Sequence, residues 1–162
     1  MIRRLWPFAA ALLIAAVGAA VLLLGPRGSE PAAPADLDEV ATNTVTGSVS
    51  TSLRRVFTYS PSDTASAERA AAEVFSGKAA DQYKRLFGQV KAQAPAQRLA
   101  LTTRVVRAGV TSMDGDTARL LVFLDQTTTR GGKQGAGPAA AQLTVTARND
   151  DGRWLITDLR AA

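Results

Sequence analysis

Twenty consecutive residues, Leu5 to Leu24, carry no charge, amide or hydroxyl. At about 1.5 Å of rise per residue such a run makes a helix of roughly 30 Å, the thickness of a bilayer's hydrocarbon core. It has no polar face, as a helix lying on a water-soluble core would. The run therefore predicts a transmembrane anchor over 5–24, with 1–4 as a cytoplasmic N-terminus, 25–35 as a linker and 36–162 as one domain. Arg3 and Arg4 precede the run, whereas Arg27 is followed by Glu30, Asp36, Asp38 and Glu39. The positive-inside rule then puts the N-terminus in the cytoplasm and the C-terminal domain outside the cytoplasmic membrane, as a single-pass protein. Trp6 reads as an interfacial anchor. The alternative is a cleaved signal peptide, since Gly18, Ala19 and Ala20 are small enough for a peptidase. Against cleavage, a signal's apolar region usually runs about 7 to 15 residues, and Val21 to Leu24 would be an odd mature start.

The linker, GPRGSEPAAPA, has three prolines and two glycines and no apolar period. Fully extended in a polyproline-like form it spans about 34 Å, so the domain is tethered near the bilayer but held off it. Beyond it lie 16 of the 19 basic and 13 of the 14 acidic residues, a net of only +3. The bases are scattered, without a basic run or neighbouring aromatics, which argues against nucleic acid as a partner. The chain has no cysteine and no histidine, which removes disulfides, thiol chemistry and imidazole catalysis together. The residues give no basis for assigning a catalytic group, cofactor or metal site.

Three helices should come first. Leu37, Ala41, Val45, Val49 and Leu53 recur every four residues, with Val40 and Val56 beside them, and Asp36 with Glu39 suggests a capping box. Pro61 to Asp63 breaks this helix; Asp63 should cap a second, ended by Gly77. A third is expected from Ala79 to Gln93, stopping before Pro95, with Tyr83, Leu86, Phe87 and Val90 inward. The period then becomes two. Leu99 to Val110 alternates but changes parity near Val105, predicting a bulge, and Met113 to Asp116 is a hairpin turn. Thr117 to Arg130 is apolar on both parities at its centre, as expected of a mid-sheet strand buried on both faces. After a loose loop over Gly131 to Pro138, Ala140 to Arg148 and Arg153 to Arg160 are joined at Asn149 to Gly152. Helices followed by antiparallel strands make an α+β domain with helices on one face of a curved sheet of about four strands.

This order, closing in GRWLITDL at Gly152 to Leu159, resembles the NTF2-like, or cystatin-like, superfamily and its cone. With the single anchor, FTYS at Phe57 to Ser60 and GVTSMDGDTARLLVFLDQTTT at Gly109 to Thr129, the whole chain resembles the actinobacterial Mce-associated membrane proteins. The resemblance implies a non-enzymatic, membrane-anchored accessory protein that stabilises or regulates an Mce-type lipid or sterol import complex in the cell envelope. It implies Mce-complex proteins or permease subunits as partners. Two alternatives stay open. One is a carrier holding a lipid ligand in the cone. The other is an isomerase- or cyclase-type enzyme using Asp125, with Tyr59 and Tyr83 as hydroxyl donors, although Asp125 and Gln126 equally suit the satisfaction of backbone at the sheet's rim. Asp158, sharing parity with Trp154 and Ile156, is expected to pair with Arg104 or Arg148. Trp154 is expected in the core.

Overall fold

The computed structural model describes residues 38–135 and 137–162. The apolar run Leu5 to Leu24, Trp6, the linker and Asp36 lie outside them. Among the described residues no helix is long and apolar enough to cross a membrane.

Three helices, α1 (Glu39–Val56), α2 (Ala65–Val74) and α3 (Gly77–Gln97), precede the strands β1 (Leu99–Asp114), β2 (Thr117–Arg130), β3 (Lys133–Gln134), β4 (Ala139–Asp150) and β5 (Arg153–Ala161). The sheet is antiparallel with order β1-β2-β4-β5, and the two-residue β3 pairs with the end of β2 inside the expected loop. The α+β architecture with three helices on a mainly four-stranded sheet is as expected.

α1 has an opposite face rich in threonine and serine, poor helix formers, so tertiary packing must hold it. That packing comes from Val45, Val49, Leu53 and Val56, all buried. The cap is Asp38 rather than Asp36: its carboxylate accepts from the N–H groups of Val40 and Ala41 at 2.9 and 3.3 Å. Asp63 sits one residue before the cap position of α2 and accepts from Ser66 N–H at 3.0 Å. Hydrogen bonds from Ser66 and the nearby Arg69 hold its carboxyl below the usual aspartate range.

Gly77 opens α3 instead of ending α2. Its φ of +52° lets the chain turn from the extended Phe75 and Ser76 straight into the helix. Pro95 does not stop α3. It lies in the last turn, and the helix ends at Arg98, whose left-handed backbone returns its N–H to the carbonyls of Ala94 and Pro95.

Each edge strand of the sheet is met by one bridge from the helical layer. Tyr59 exchanges two hydrogen bonds with Leu101 on β1, at 2.9 and 3.0 Å. On β5, Ser76 N–H donates to the Ile156 carbonyl at 2.9 Å, beside the bridge between Phe75 and Ile156. These bridges cap each edge strand at one point.

The expected bulge is present, with Val106 unpaired between Val105 and Arg107. A second falls at Thr111, whose hydroxyl donates to the Arg119 carbonyl at 3.2 Å. The even residues of β2, from Ala118 to Leu124, meet Val145 and Ala147 of β4 and Ile156 of β5 in the core under the helices. β2 does lie mid-sheet, but it is not buried on both faces. Its odd residues lie on the open side, Leu121 half-buried and Phe123 38% exposed, because no helix among the described residues packs there. Trp154 is half-buried and packs against the core cluster.

Candidate functional site

α3 diverges from the sheet and leaves a cavity of about 620 Å³, reaching from Val56 and Phe57 to the ends of β1, β2, β4 and β5. Its size is in the range typical of small-molecule sites, roughly 300 to 1,000 Å³. Phe57, Tyr59, Tyr83 and Phe87 wall its helical side, with Phe75 packed behind them. Tyr83 stacks on Phe87 with centroids 4.8 Å apart; Phe75 meets Tyr83 edge-on at 5.5 Å, and Tyr59 meets Phe87 at 5.9 Å. Leu124 and Leu143 form the sheet side.

The segment after α1 is pinned where it borders the cavity. The buried Thr103 hydroxyl donates to the Phe57 carbonyl at 2.6 Å and accepts from Gln126 Nε2 at 3.2 Å, while Thr103 N–H donates to the Thr58 hydroxyl at 3.1 Å. Burial pushes the Tyr59 phenol's pKa up. Tyr83 is raised further, first by burial and then by the charge of Glu68 and the neighbouring Tyr59. Both phenols therefore stay neutral at physiological pH, able to hydrogen-bond and unable to act as bases.

Six of the chain's seven glutamines line this cavity, together with Arg85 and Arg160, and among the described residues no aspartate or glutamate does. Four of them, Gln82, Gln89, Gln93 and Gln97, lie on α3 at spacings of seven, four and four, which places them in one stripe. That stripe was readable from the helix period but carries none of the residue types that announce chemistry. Gln126, on the parity of Leu124, joins it only through the sheet register, whereas Gln142 pairs with Phe123 and borders the cavity from the open-face parity. The side-chain oxygen of Gln82 is buried with no hydrogen-bond partner among the described residues.

The residues considered for catalysis are not brought together. Tyr59 and Tyr83 line the cavity. Asp125 lies on the opposite, open face of the sheet, where Arg104 donates to it at 2.6 Å and 29% of its side chain is exposed. Asp158 differs from expectation. Thr157 is an extra residue in β5, so Asp158 leaves the parity of Trp154 and Ile156, pairing with Arg160 at 2.8 Å and Lys78 at 3.5 Å rather than with Arg104 or Arg148. Among the described residues no group of three or more acidic, histidine or cysteine side chains converges as a metal site would require.

The chain can now be set beside known proteins. No protein-family model matches it. It is 38% identical over 104 residues to the uncharacterized protein Rv1362c of Mycobacterium tuberculosis, an alignment covering 63% of this chain and 47% of that protein. The chain thus spans about half the length of the curated relative it matches. Three solved structures share its fold. A periplasmic fragment of TraM has a TM-score of 0.60 at 12% identity, covering 74% of this chain and 95% of that one. An IcmL-like type IV secretion system protein from Legionella pneumophila gives 0.63 at 8% identity, with 77% and 92% covered. The VirB8 protein of Agrobacterium tumefaciens gives 0.53 at 13% identity, with 85% and 96% covered. At such identities these likenesses establish an α+β fold of helices on an antiparallel sheet, and no more.

Proposed function

We propose that this chain is a non-enzymatic accessory protein, anchored by residues 5–24 in the cytoplasmic membrane, whose NTF2-like domain stabilises or regulates an Mce-type lipid or sterol import complex from outside that membrane. The single observation that carries the non-enzymatic part is the placement of Asp125. The one acid considered as a base is held by Arg104 across the sheet from the neutral tyrosines, so no acid and phenol share a site. The envelope setting is supported by the fold shared with a periplasmic TraM fragment and with type IV secretion proteins. The Mce assignment rests on the sequence resemblance. Affinity isolation of the tagged full chain from native membranes is expected to recover Mce or permease subunits. Their reproducible absence, with a known membrane complex recovered in parallel, refutes the assignment. Labelling of a Ser29→Cys variant in intact cells is expected from outside; protection there would reverse the orientation.

A second reading is favoured by the cavity itself: the domain carries an apolar ligand. Its aromatic and aliphatic walls suit a hydrocarbon body. Its glutamines and Arg85 suit a neutral or anionic hydrogen-bonding head, and the Gln82 oxygen is an acceptor that a ligand hydroxyl would satisfy. Native mass spectrometry of the full chain released from detergent is expected to show a bound lipid lost in a Phe87→Arg variant. An unliganded mass throughout removes the carrier and leaves the accessory role standing. The enzyme reading requires Asp125, and an Asp125→Asn variant that fully restores a deletion strain eliminates it.

A further inference from the structure

The cavity between α3 and the sheet is bordered at one corner by charge. On β2 the residues that line it are Leu124, Gln126 and Thr128, and the next on that parity is Arg130. The register sets Leu101 opposite Thr128 and Leu99 opposite Arg130. Both leucines line the cavity, so Arg130 stands at its rim on the cavity's side of the sheet. Lys133 of β3 lies directly opposite Arg130 on the other flank. Gly131 N–H donates to the Arg98 carbonyl at 3.0 Å, and Gly135 N–H to the Thr128 carbonyl at 2.9 Å, which fastens this hairpin to the end of α3 and to β2.

Like charges directly across a strand pair repel. Among the described residues neither Arg130 nor Lys133 forms an ion pair. The sequence has no carboxylate on α3 after Asp81, on β1 before Asp114, or from Gln126 to Asn149. Asp63, on the segment that borders β1, is bonded to Ser66, and Asp125 is held by Arg104 on the opposite side of the sheet. Arg85 lines the cavity farther along α3 and has Asp81 one turn before it. An apolar cavity thus ends at one corner in two cations without a counter-charge. We propose that its ligand is an amphiphile with an anionic head. The hydrocarbon body lies against Phe87, Leu101 and Leu124, and the head, a carboxylate or a phosphate, bridges Arg130 and Lys133. This rests on the carrier reading of the cavity and goes beyond it by fixing the sign and the position of the head.

Charge and register together select this occupant. A neutral head would be served by the glutamines and would leave the repulsion of the two cations in place. A free inorganic anion would relieve that repulsion but leave the apolar lining beside it empty. A carboxylate or phosphate takes two bonds from the arginine fork and a point charge from lysine, and a chain attached to it enters along the next row inward, Leu101 and Thr128. Both cations are exposed, so the selectivity they confer should fall as salt rises.

The test uses the full chain in phosphatidylcholine nanodiscs, with empty nanodiscs as the blank, and radiolabelled palmitate, hexadecyl phosphate, hexadecanol and inorganic phosphate at mildly alkaline pH. Palmitate and hexadecyl phosphate are expected to bind about tenfold more tightly than hexadecanol, as charge-assisted hydrogen bonds to the head should give, and inorganic phosphate not measurably. Excess hexadecanol should displace both anionic probes, since the chains share one cavity. Arg130→Gln combined with Lys133→Gln is expected to abolish the preference and leave hexadecanol binding unchanged. Lys84→Gln, an exposed change on α3 outside the cavity, should alter neither. All three positions are exposed, so circular dichroism should show folded variants. Equal affinity for hexadecanol, a preference that survives the double variant, or one lost equally in Lys84→Gln overturns the anionic head and leaves the carrier standing. Anionic probes that hexadecanol does not displace lie outside the cavity and overturn it too. Inorganic phosphate bound as tightly as hexadecyl phosphate would make the rim a free-anion site and overturn the amphiphile. If no chain-bearing probe exceeds the blank, the carrier reading falls and this inference with it.

Discussion

α1 and α3 lie over the same face of the same sheet and do opposite things with it. α1 presses Val45, Val49, Leu53 and Val56 into the core until none is more than marginally exposed. α3 offers Tyr83, Phe87 and alanines, leaves Leu86 38% exposed and turns glutamines toward the gap. Compact β-branched and leucine side chains let one helix sit close. Large rings and amides hold the other away at one end, and the cavity is the difference. A helix layer can thus be sealed at one end and open at the other without any change of topology, by the choice of side chains alone.

Breaking the sealed end should have the largest effect. Leu53→Ala removes a fully buried side chain from close-packed surroundings and is expected to cost about 3 to 4 kcal/mol in denaturant unfolding. Phe87→Ala removes a larger side chain, yet one wall of it already borders a void. It is expected to cost only about 2 kcal/mol, below the usual range for an enclosed phenylalanine. Equal costs at the two sites would mean that α3 packs as tightly as α1, and would undo the contrast.

Glycine substitutions probe the helices without touching the core. Gly47 in α1 and Gly88 in α3 are exposed helix-interior positions where an added Cβ meets nothing within 4 Å. Gly47→Ala and Gly88→Ala should each stabilise by up to about 1 kcal/mol, seen as a raised melting temperature. A gain at Gly47 alone would show that α3 is not fully helical in solution.

The smallest effect at neutral pH is expected of Tyr83→Phe, since the hydroxyl makes only a long bond of 3.5 Å to the Val56 carbonyl. Its signature is alkaline. The folded phenol's pKa is raised above the unfolded value of about 10, so the unfolded chain releases its proton first. The stability Tyr83 contributes is fully present below about pH 10 and is lost as pH rises from there through the folded value. Tyr83→Phe should therefore flatten the decline in melting temperature above about pH 10. Parallel declines in both proteins would place the Tyr83 hydroxyl in solvent.

Much of the domain was legible in local pattern. The stripe of α1, the parity change near Val105 and the Asp-Gly turn at Asp151 and Gly152 are all nearest-neighbour chemistry, and Asp151 and Gly152 do take the positive φ values of 49° and 84° that such a turn requires. The misreadings have one physical origin. Asp36 and Asp38 are equally good caps in isolation, and only the observed start of the helix at Glu39 selects Asp38. Gly77 can end one helix or begin the next, and the Ser76 bond to β5 decides. Pro95 is tolerated because it lies in a final turn that Arg98 closes.

The candidate site was the least legible part. Asp125, Tyr59 and Tyr83 were rational choices by residue type, but alternation assigns a residue to a face and does not say which face is covered. The glutamines that border the cavity have no distinctive chemistry one at a time.

By itself the sequence determined the order of elements, the segregation of helices from strands and the absence of thiol and imidazole chemistry, because these follow from composition and from periods spanning a few residues. Only the tertiary structure decided which side of the sheet the helices cover. That one choice puts the tyrosines, the glutamine stripe of α3 and Gln126 around a cavity and leaves Phe123 and Asp125 on the far side. The physical reason is that a mid-sheet strand with apolar residues on both parities buries either face equally well, and the balance is tipped by side chains brought in from helices dozens of residues away.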